Sequence, residues 1–165
     1  MPLYYYAGGT KHPLERVTDR VVLDARAAAH AGVTARVTEA AVHSRLPGGL
    51  QVVSTAGMAD GALAALRSAG ALQPVFRSGK TLVILLPEVR VELEPGQQDA
   101  VLAAVRAADV ASEVTESTDA RVSLRPVSGL GEDALRLANF ICETAHPAAA
   151  TARMLTVMAR PMVRK

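Results

Sequence analysis

Val89-Arg90-Val91-Glu92-Leu93-Glu94-Pro95-Gly96 decides how the rest of the chain reads. Val89, Val91 and Leu93 alternate with Arg90, Glu92 and Glu94, the two-residue period of a strand with one covered and one wetter face. Pro95-Gly96 breaks that strand. Downstream, Val101, Leu102, Val105 and Ala108 fall on one helical face. Val110 to Thr115 reads as a second strand, Asp119 as the start of a turn, and Val122 and Leu124 as alternate positions of a third strand. Glu132 and Asp133 fit a helix's first turn, where acidic groups meet the positive end of its dipole. Ala134, Leu137, Ala138, Ile141 and Ala145 form that helix's apolar stripe, and Leu135, Ala138, Ile141 and Cys142 are expected to face a sheet. His146-Pro147 ends it, since a residue before proline disfavours the helical region. Met154 to Val163 supplies a last strand. Met154, Met158 and Met162 recur every four residues, so a helix from Ala148 to Ala159 is the alternative.

Reading upstream, the same order of landmarks recurs 70 residues earlier. Tyr4-Tyr5-Tyr6-Ala7-Gly8-Gly9 has the outline of Pro74-Val75-Phe76-Arg77-Ser78-Gly79. Arg20 to Asp24 matches Arg90 to Glu94, and Leu50 to Val53 matches Ala120 to Ser123. Ala62 to Leu66 resembles Ala134 to Ala138, and Pro74 to Arg77 resembles Pro161 to Arg164. The shared order points to an internal repeat, with one unit over 1–80 and a second over 81–165. In the first copy, Leu3 to Tyr6, Leu14 to Arg16, Leu50 to Ser54 and Thr81 to Leu86 read as strands. Val33, Val37, Ala40 and Ala41 mark a helical stripe within Ala25 to Ala41, and Asp60 to Ala69 reads as a helix closed by Gly70. The expected fold class is α+β, antiparallel sheet with helices packed on one face.

Composition narrows the function. The chain has 165 residues, is 50% hydrophobic and carries a net charge of only +2. Its arginines are scattered among acids rather than clustered, which argues against nucleic acid as a partner. No apolar run is long enough to span a membrane. The opening residues lack a charged start followed by an apolar run, so a cytoplasmic protein is expected. Cys142 is the single cysteine and reads as a small buried hydrophobe. His12, His30, His43 and His146 have no metal-ligand spacing, so no metal is expected. Gly8-Gly9-Thr10-Lys11 and Ser78-Gly79-Lys80-Thr81 look like phosphate loops but sit between strands, where hairpin turns account for them. No nucleophile elbow or paired-carboxylate motif stands out. The expectation is a chain without catalysis or cofactor. Alternate rings of Tyr4-Tyr5-Tyr6 must point to opposite faces of a strand, so the three cannot line one pocket wall.

The stretches Tyr4 to Asp24, Pro74 to Gly96 and Asp133 to Ile141 resemble the N-terminal prodomains of subtilisin-like serine proteases, particularly the fervidolysin-like type. The resemblance implies tandem ferredoxin-like α/β sandwich units. It implies a partner, a subtilisin-like protease or another protein, for which the chain would be inhibitor, folding assistant or adaptor. It also implies that a C-terminal arm, Ala159, Arg160, Pro161, Met162, Val163, Arg164 and Lys165, lies in the partner's cleft like a substrate. The subtilase Asp, His and Ser motifs are absent from the chain. Thus either the chain acts in trans or the protease lies outside this sequence. The alternative is a small-molecule-binding regulatory domain or a dimeric scaffold of ferredoxin-like type, with a homodimer as its assembled form.

Overall fold

A computed structural model describes residues 3–32, 42–58 and 60–158. In chain order the elements are β1 (Leu3–Ala7), β2 (Thr10–Asp24), α1 (Ala25–His30), β3 (Val42–Leu46), β4 (Leu50–Ser54), α2 (Asp60–Ser68), β5 (Leu72–Ser78), β6 (Thr81–Glu92), α3 (Gln98–Ala107), β7 (Ser112–Ser117), β8 (Arg121–Pro126), α4 (Gly131–Ala145) and β9 (Ala149–Met158). The fold class is α+β with antiparallel strand pairing, as the sequence implies. The chain groups into two compact units. One comprises Met1–Leu14 and Leu85–Leu155, and the other Glu15–Ile84 and Thr156–Lys165. We call them the tyrosine unit and the bulge unit.

In the tyrosine unit the strands run β7-β8-β6-β9 across the sheet. Cross-strand pairs Val89–Leu124 and Val91–Val122 put four fully buried side chains on one face. Against them α4 buries Ala134, Leu135, Leu137, Ala138 and Ile141, and α3 buries Val101 and Ala104. Cys142 lies at the margin, half-buried rather than in the core. α4 stops where expected, with His146 in the left-handed region at φ 47° before Pro147. The side chain of Gln97 donates to the His146 carbonyl at 3.1 Å. Pro87, which has no N–H to give, falls between the β6 residues that pair with β5 (Thr81–Val83) and those that pair with β8 (Val89–Glu92). Two expected strands, Thr81 to Leu86 and Val89 to Leu93, are therefore one long strand.

In the bulge unit the order is β3-β4-β2-β5, with the start of β6 beside β5. Leu23, Ala28, Val53, Leu66 and Ala71 form its core. Asp24 caps α1 by accepting from the amides of Arg26 and Ala27, each at 3.1 Å. α2 closes on Gly70 (φ 68°) with two crossed bonds, Ala71 N–H to the Leu66 carbonyl and Gly70 N–H to the Arg67 carbonyl, both 3.0 Å. These satisfy carbonyls that a helix end otherwise leaves open. The stripe Val33, Val37, Ala40 and Ala41 lies outside the described residues. β3 is a strand the sequence does not signal.

Two sequence expectations need correction. The repeat aligned Val52 with Val122, but Val91 opposes Val122 whereas Val21 opposes Val53. The structural equivalent of Val122 is Val53, one residue on. A slip of one residue in a strand exchanges its two faces, and the Val-Val pair in the first copy concealed the slip. The last element is the expected strand and not the alternative helix from Ala148 to Ala159, but it starts at Ala149 rather than Met154. Ala150 and Ala152 are buried while Thr151 and Arg153 are exposed, the two-residue alternation of a strand. β9 thus occupies the place in its unit that β5 occupies in the other, while Pro161 to Arg164, matched with Pro74 to Arg77 in sequence, lies outside the described residues.

A Cβ added at Gly131 would lie 2.2 Å from the Leu85 carbonyl oxygen, a backbone atom that cannot move aside. Gly131→Ala should destabilise the protein by about 1–3 kcal/mol or more in denaturant unfolding. Leu135, 1% exposed, should cost about 2–5 kcal/mol as Leu135→Ala. An unchanged unfolding midpoint for either would contradict this packing.

Candidate partner-binding face

The sheet face of the tyrosine unit that points away from α3 and α4 is built by the alternate residues of the same strands. Arg90 opposes Ser123, Glu92 opposes Arg121, and Glu113 opposes Arg125. Two cross-strand ion pairs lie on it: Arg121 Nε to Glu92 Oε1 at 3.2 Å and Arg153 to Glu88 at 3.1 Å. These side chains keep 35–59% of their exposure, so each pair adds at most about 1 kcal/mol of stability. Their larger effect is on surface chemistry. Arg90 and Arg125 are exposed and form no ion pair among the described residues. The face is thus a mixed-charge lattice in which Arg90, Arg125 and the acids Glu113 and Glu116 stand outside the two ion pairs. β9 borders it and, among the described residues, pairs with β6. The sequence-assigned arm Ala159, Arg160, Pro161, Met162, Val163, Arg164 and Lys165 follows β9 directly and lies outside the described residues.

On the same unit the tyrosine run forms a second cluster. Period-two geometry sends Tyr4 and Tyr6 to one side of β1 and Tyr5 to the other. Tyr5 stacks on His12, its cross-strand partner, at 5.1 Å between centroids. Tyr4 and Tyr6 meet edge to face at 5.6 Å. Both phenols donate to Glu143 Oε1, at 2.5 Å from Tyr4 and 3.1 Å from Tyr6. One turn earlier on α4, Asn139 donates to the Tyr4 carbonyl at 2.8 Å. Lys11 sits over the Tyr4 ring at 4.5 Å, where the ring's negative face attracts a cation. The arrangement clamps the N-terminal hairpin to α4.

Its electrostatics agree with a clamp. The Tyr4 phenol is pushed up from 10.0 to about 12, mainly because its proton is held by Glu143 and then because it is desolvated. The Tyr6 phenol is also pushed up, by desolvation first and by the same carboxylate second. Desolvation and the Glu143 charge raise the Cys142 thiol, which disfavours its nucleophilic form. Sequence reading placed the rings on their faces but missed Glu143 and Asn139. Their spacing on the polar edge of α4 was the only signal, and their partner lies more than 130 residues away.

The histidines occupy separate places. His12 stacks on Tyr5, His30 ends α1, His43 Nδ1 lies 2.9 Å from Ser44 Oγ, and His146 caps α4. Among the described residues no three His, Cys, Asp or Glu side chains gather as a metal-ligand set. Both Gly-Lys segments are hairpin turns, between β1 and β2 and between β5 and β6. Among the described residues no helix is long and apolar enough to cross a membrane. No protein-family model matches the chain, and no curated protein matches it significantly.

The clamp predicts a pH dependence. A folded-state pKa of about 12 against an ordinary 10.0 means that the protonated phenol's stabilisation is complete below pH 10.0 and is lost as pH rises through about 12. In an ultraviolet titration of tyrosinate, Tyr4 should ionise last. Glu143→Gln should bring that last step down towards 10.0. A titration unaltered by Glu143→Gln would dissolve the clamp.

Proposed function

We propose that this chain is a non-catalytic protein-binding module of the subtilase-prodomain type, which engages a subtilisin-like protease as inhibitor, folding assistant or adaptor. The observation that carries the reading is the charged sheet face of the tyrosine unit, bordered by β9, which precedes residues 159–165 in the sequence. A sheet face of this kind can bury about 800 Å² against a partner, the area of a standard interface. A segment continuing from its edge can add backbone hydrogen bonds to an extended cleft.

Topology supports the same reading. From β6 onward the tyrosine unit runs strand, helix, strand, strand, helix, strand. Its second strand lies at one edge, its third and first in the centre and its fourth at the other edge. β2, α1, β3, β4, α2 and β5 of the bulge unit repeat that plan with the order β3-β4-β2-β5. We read both as ferredoxin-like sandwiches, tandem units of the kind the prodomain resemblance implies. Fold alone leaves many functions open, so the assignment rests on the face and the arm together.

Titrating the full chain into a subtilisin-like protease and measuring residual peptide hydrolysis tests the proposal. Inhibition that saturates at one chain per enzyme is expected. Deleting Pro161–Lys165 should leave the melting temperature unchanged and remove most of the affinity. The double substitution Arg90→Glu, Arg125→Glu should slow association and alter its salt dependence, because charges at an interface govern encounter more than contact. Absence of both binding and inhibition across several such proteases would sink the proposal. Undiminished affinity in a stable truncated chain would remove the arm and leave the sheet face alone.

A further inference from the structure

β2 carries an irregularity whose surroundings are chemically one-sided. Val17 opposes Val75 on β5, yet the next β5 partner, Pro74, opposes Val21. Three residues of β2, Thr18, Asp19 and Arg20, therefore stand against no residue of β5. Arg20 is taken up by Ser54 on β4, while Thr18 and Asp19 have no partner in either ladder. The β5 residue at the bulge is a proline, which brings no N–H of its own. The extra residues bow β2 away from β5, as bulges do, and open a cleft of about 410 Å³.

Three guanidinium-bearing residues line this cleft: Arg16 and Arg20 from the two sides of the bulge and Arg67 from the last turn of α2. Thr18, Thr55 and Gln73 add neutral hydrogen-bonding groups, and no acidic side chain lines it. Arg16 lies 5.8 Å from the Phe76 ring, so that ring helps to hold it. Among the described residues neither Arg20 nor Arg67 forms an ion pair. Elsewhere the chain does neutralise its arginines, as Arg121 with Glu92 and Arg153 with Glu88 show. Converging guanidinium forks match the two oxygens of a carboxylate or phosphate. The volume suits a small molecule.

We propose that the bulge cleft is a binding site for a small oxyanion, a molecule presenting a phosphate or carboxylate group to Arg20 and Arg67, with Arg16 and the Thr18 region completing the cradle. The site lies wholly within the bulge unit.

Calorimetric titration of the full chain with inorganic phosphate, and separately with citrate, tests it. Saturable one-to-one binding of phosphate alone, of citrate alone or of both supports the site and says which anionic group it takes. Arg20→Gln and Arg67→Gln should each weaken binding by about tenfold, the loss expected for a charged hydrogen-bonded contact. Arg20→Lys keeps the charge but loses the fork, and should also weaken it. Arg106→Gln, an exposed arginine on α3, should change nothing. Melting temperatures of all four variants separate lost binding from lost fold. If neither anion binds saturably, if the folded Arg20 and Arg67 variants bind like the parent, or if Arg106→Gln weakens binding equally, the site does not exist.

Discussion

The approach of Gly131 to the Leu85 carbonyl, which leaves no room for a side chain at 131, sets where α4 begins on β6. A helix entering at that point has one rotation that places Leu135, Ala138 and Ile141 over the strands. With 3.6 residues per turn, the same rotation carries Asn139 and Glu143 towards β1. The core of the tyrosine unit and the clamp on its N-terminal hairpin thus share one geometric origin. A side chain at 131 would lift α4 from β6 and with it the carboxylate that holds Tyr4 and Tyr6. Leu130 has no capping side-chain bond, and Ser128 instead joins Asp133 at 2.7 Å and accepts from the Leu130 amide. The loop before α4 is therefore organised by a bond that bypasses the cap position.

The division between the two faces of that unit's sheet follows from alternation alone. Valine at 89 and 91 and arginine or glutamate at 88, 90 and 92 are successive residues of one strand. Burying one set obliges the other to face away. In the bulge unit the corresponding opposition is weaker. Val22 and Val52 pair across the strands on the face opposite Leu23 and Val53, and all four are buried. The segments Val21-Val22-Leu23 of β2 and Val52-Val53 of β4 are accordingly short unbroken apolar runs, as expected where both faces are covered.

That contrast explains how much could be read from the sequence. α2, α3 and α4 were legible because caps, breakers and a helical stripe agree. Gly70, Pro95-Gly96 and His146-Pro147 mark boundaries by restricting the backbone. The second half of β6 was legible from its alternation at Val89 and Val91, but its continuity with Thr81 to Leu86 was not. β4 was found as a strand but with its faces exchanged relative to the repeat, because Val52-Val53 carries no alternation to fix register. β3 was missed because Val42-His43-Ser44-Arg45-Leu46 is mostly polar, and its strand state depends on β4 beside it. The Tyr4–Glu143 contact and the arginine cleft share that difficulty, since both assemble groups distant in sequence. The candidate arm was legible only by resemblance.

The bulge in β2 shows how two units with the same strand order can differ in chemistry. Both units keep the same order of strands, and hydrogen bonding between strands needs only backbone. In β6 the corresponding stretch carries Pro87, between the residues that pair with β5 and those that pair with β8, and neither ladder shifts register. In β2 the interruption inserts three residues and turns Arg20 and its neighbours towards a cleft. An inserted segment of this kind leaves Val21, Val22 and Leu23 in register with both β4 and β5 beyond it. The core face is therefore preserved while the strand acquires a cationic surface upstream. Deleting one bulge residue would shift every β2 position on one side of the deletion to the opposite face. The bulge is consequently fixed by the packing of Leu23 as firmly as by any ligand it serves.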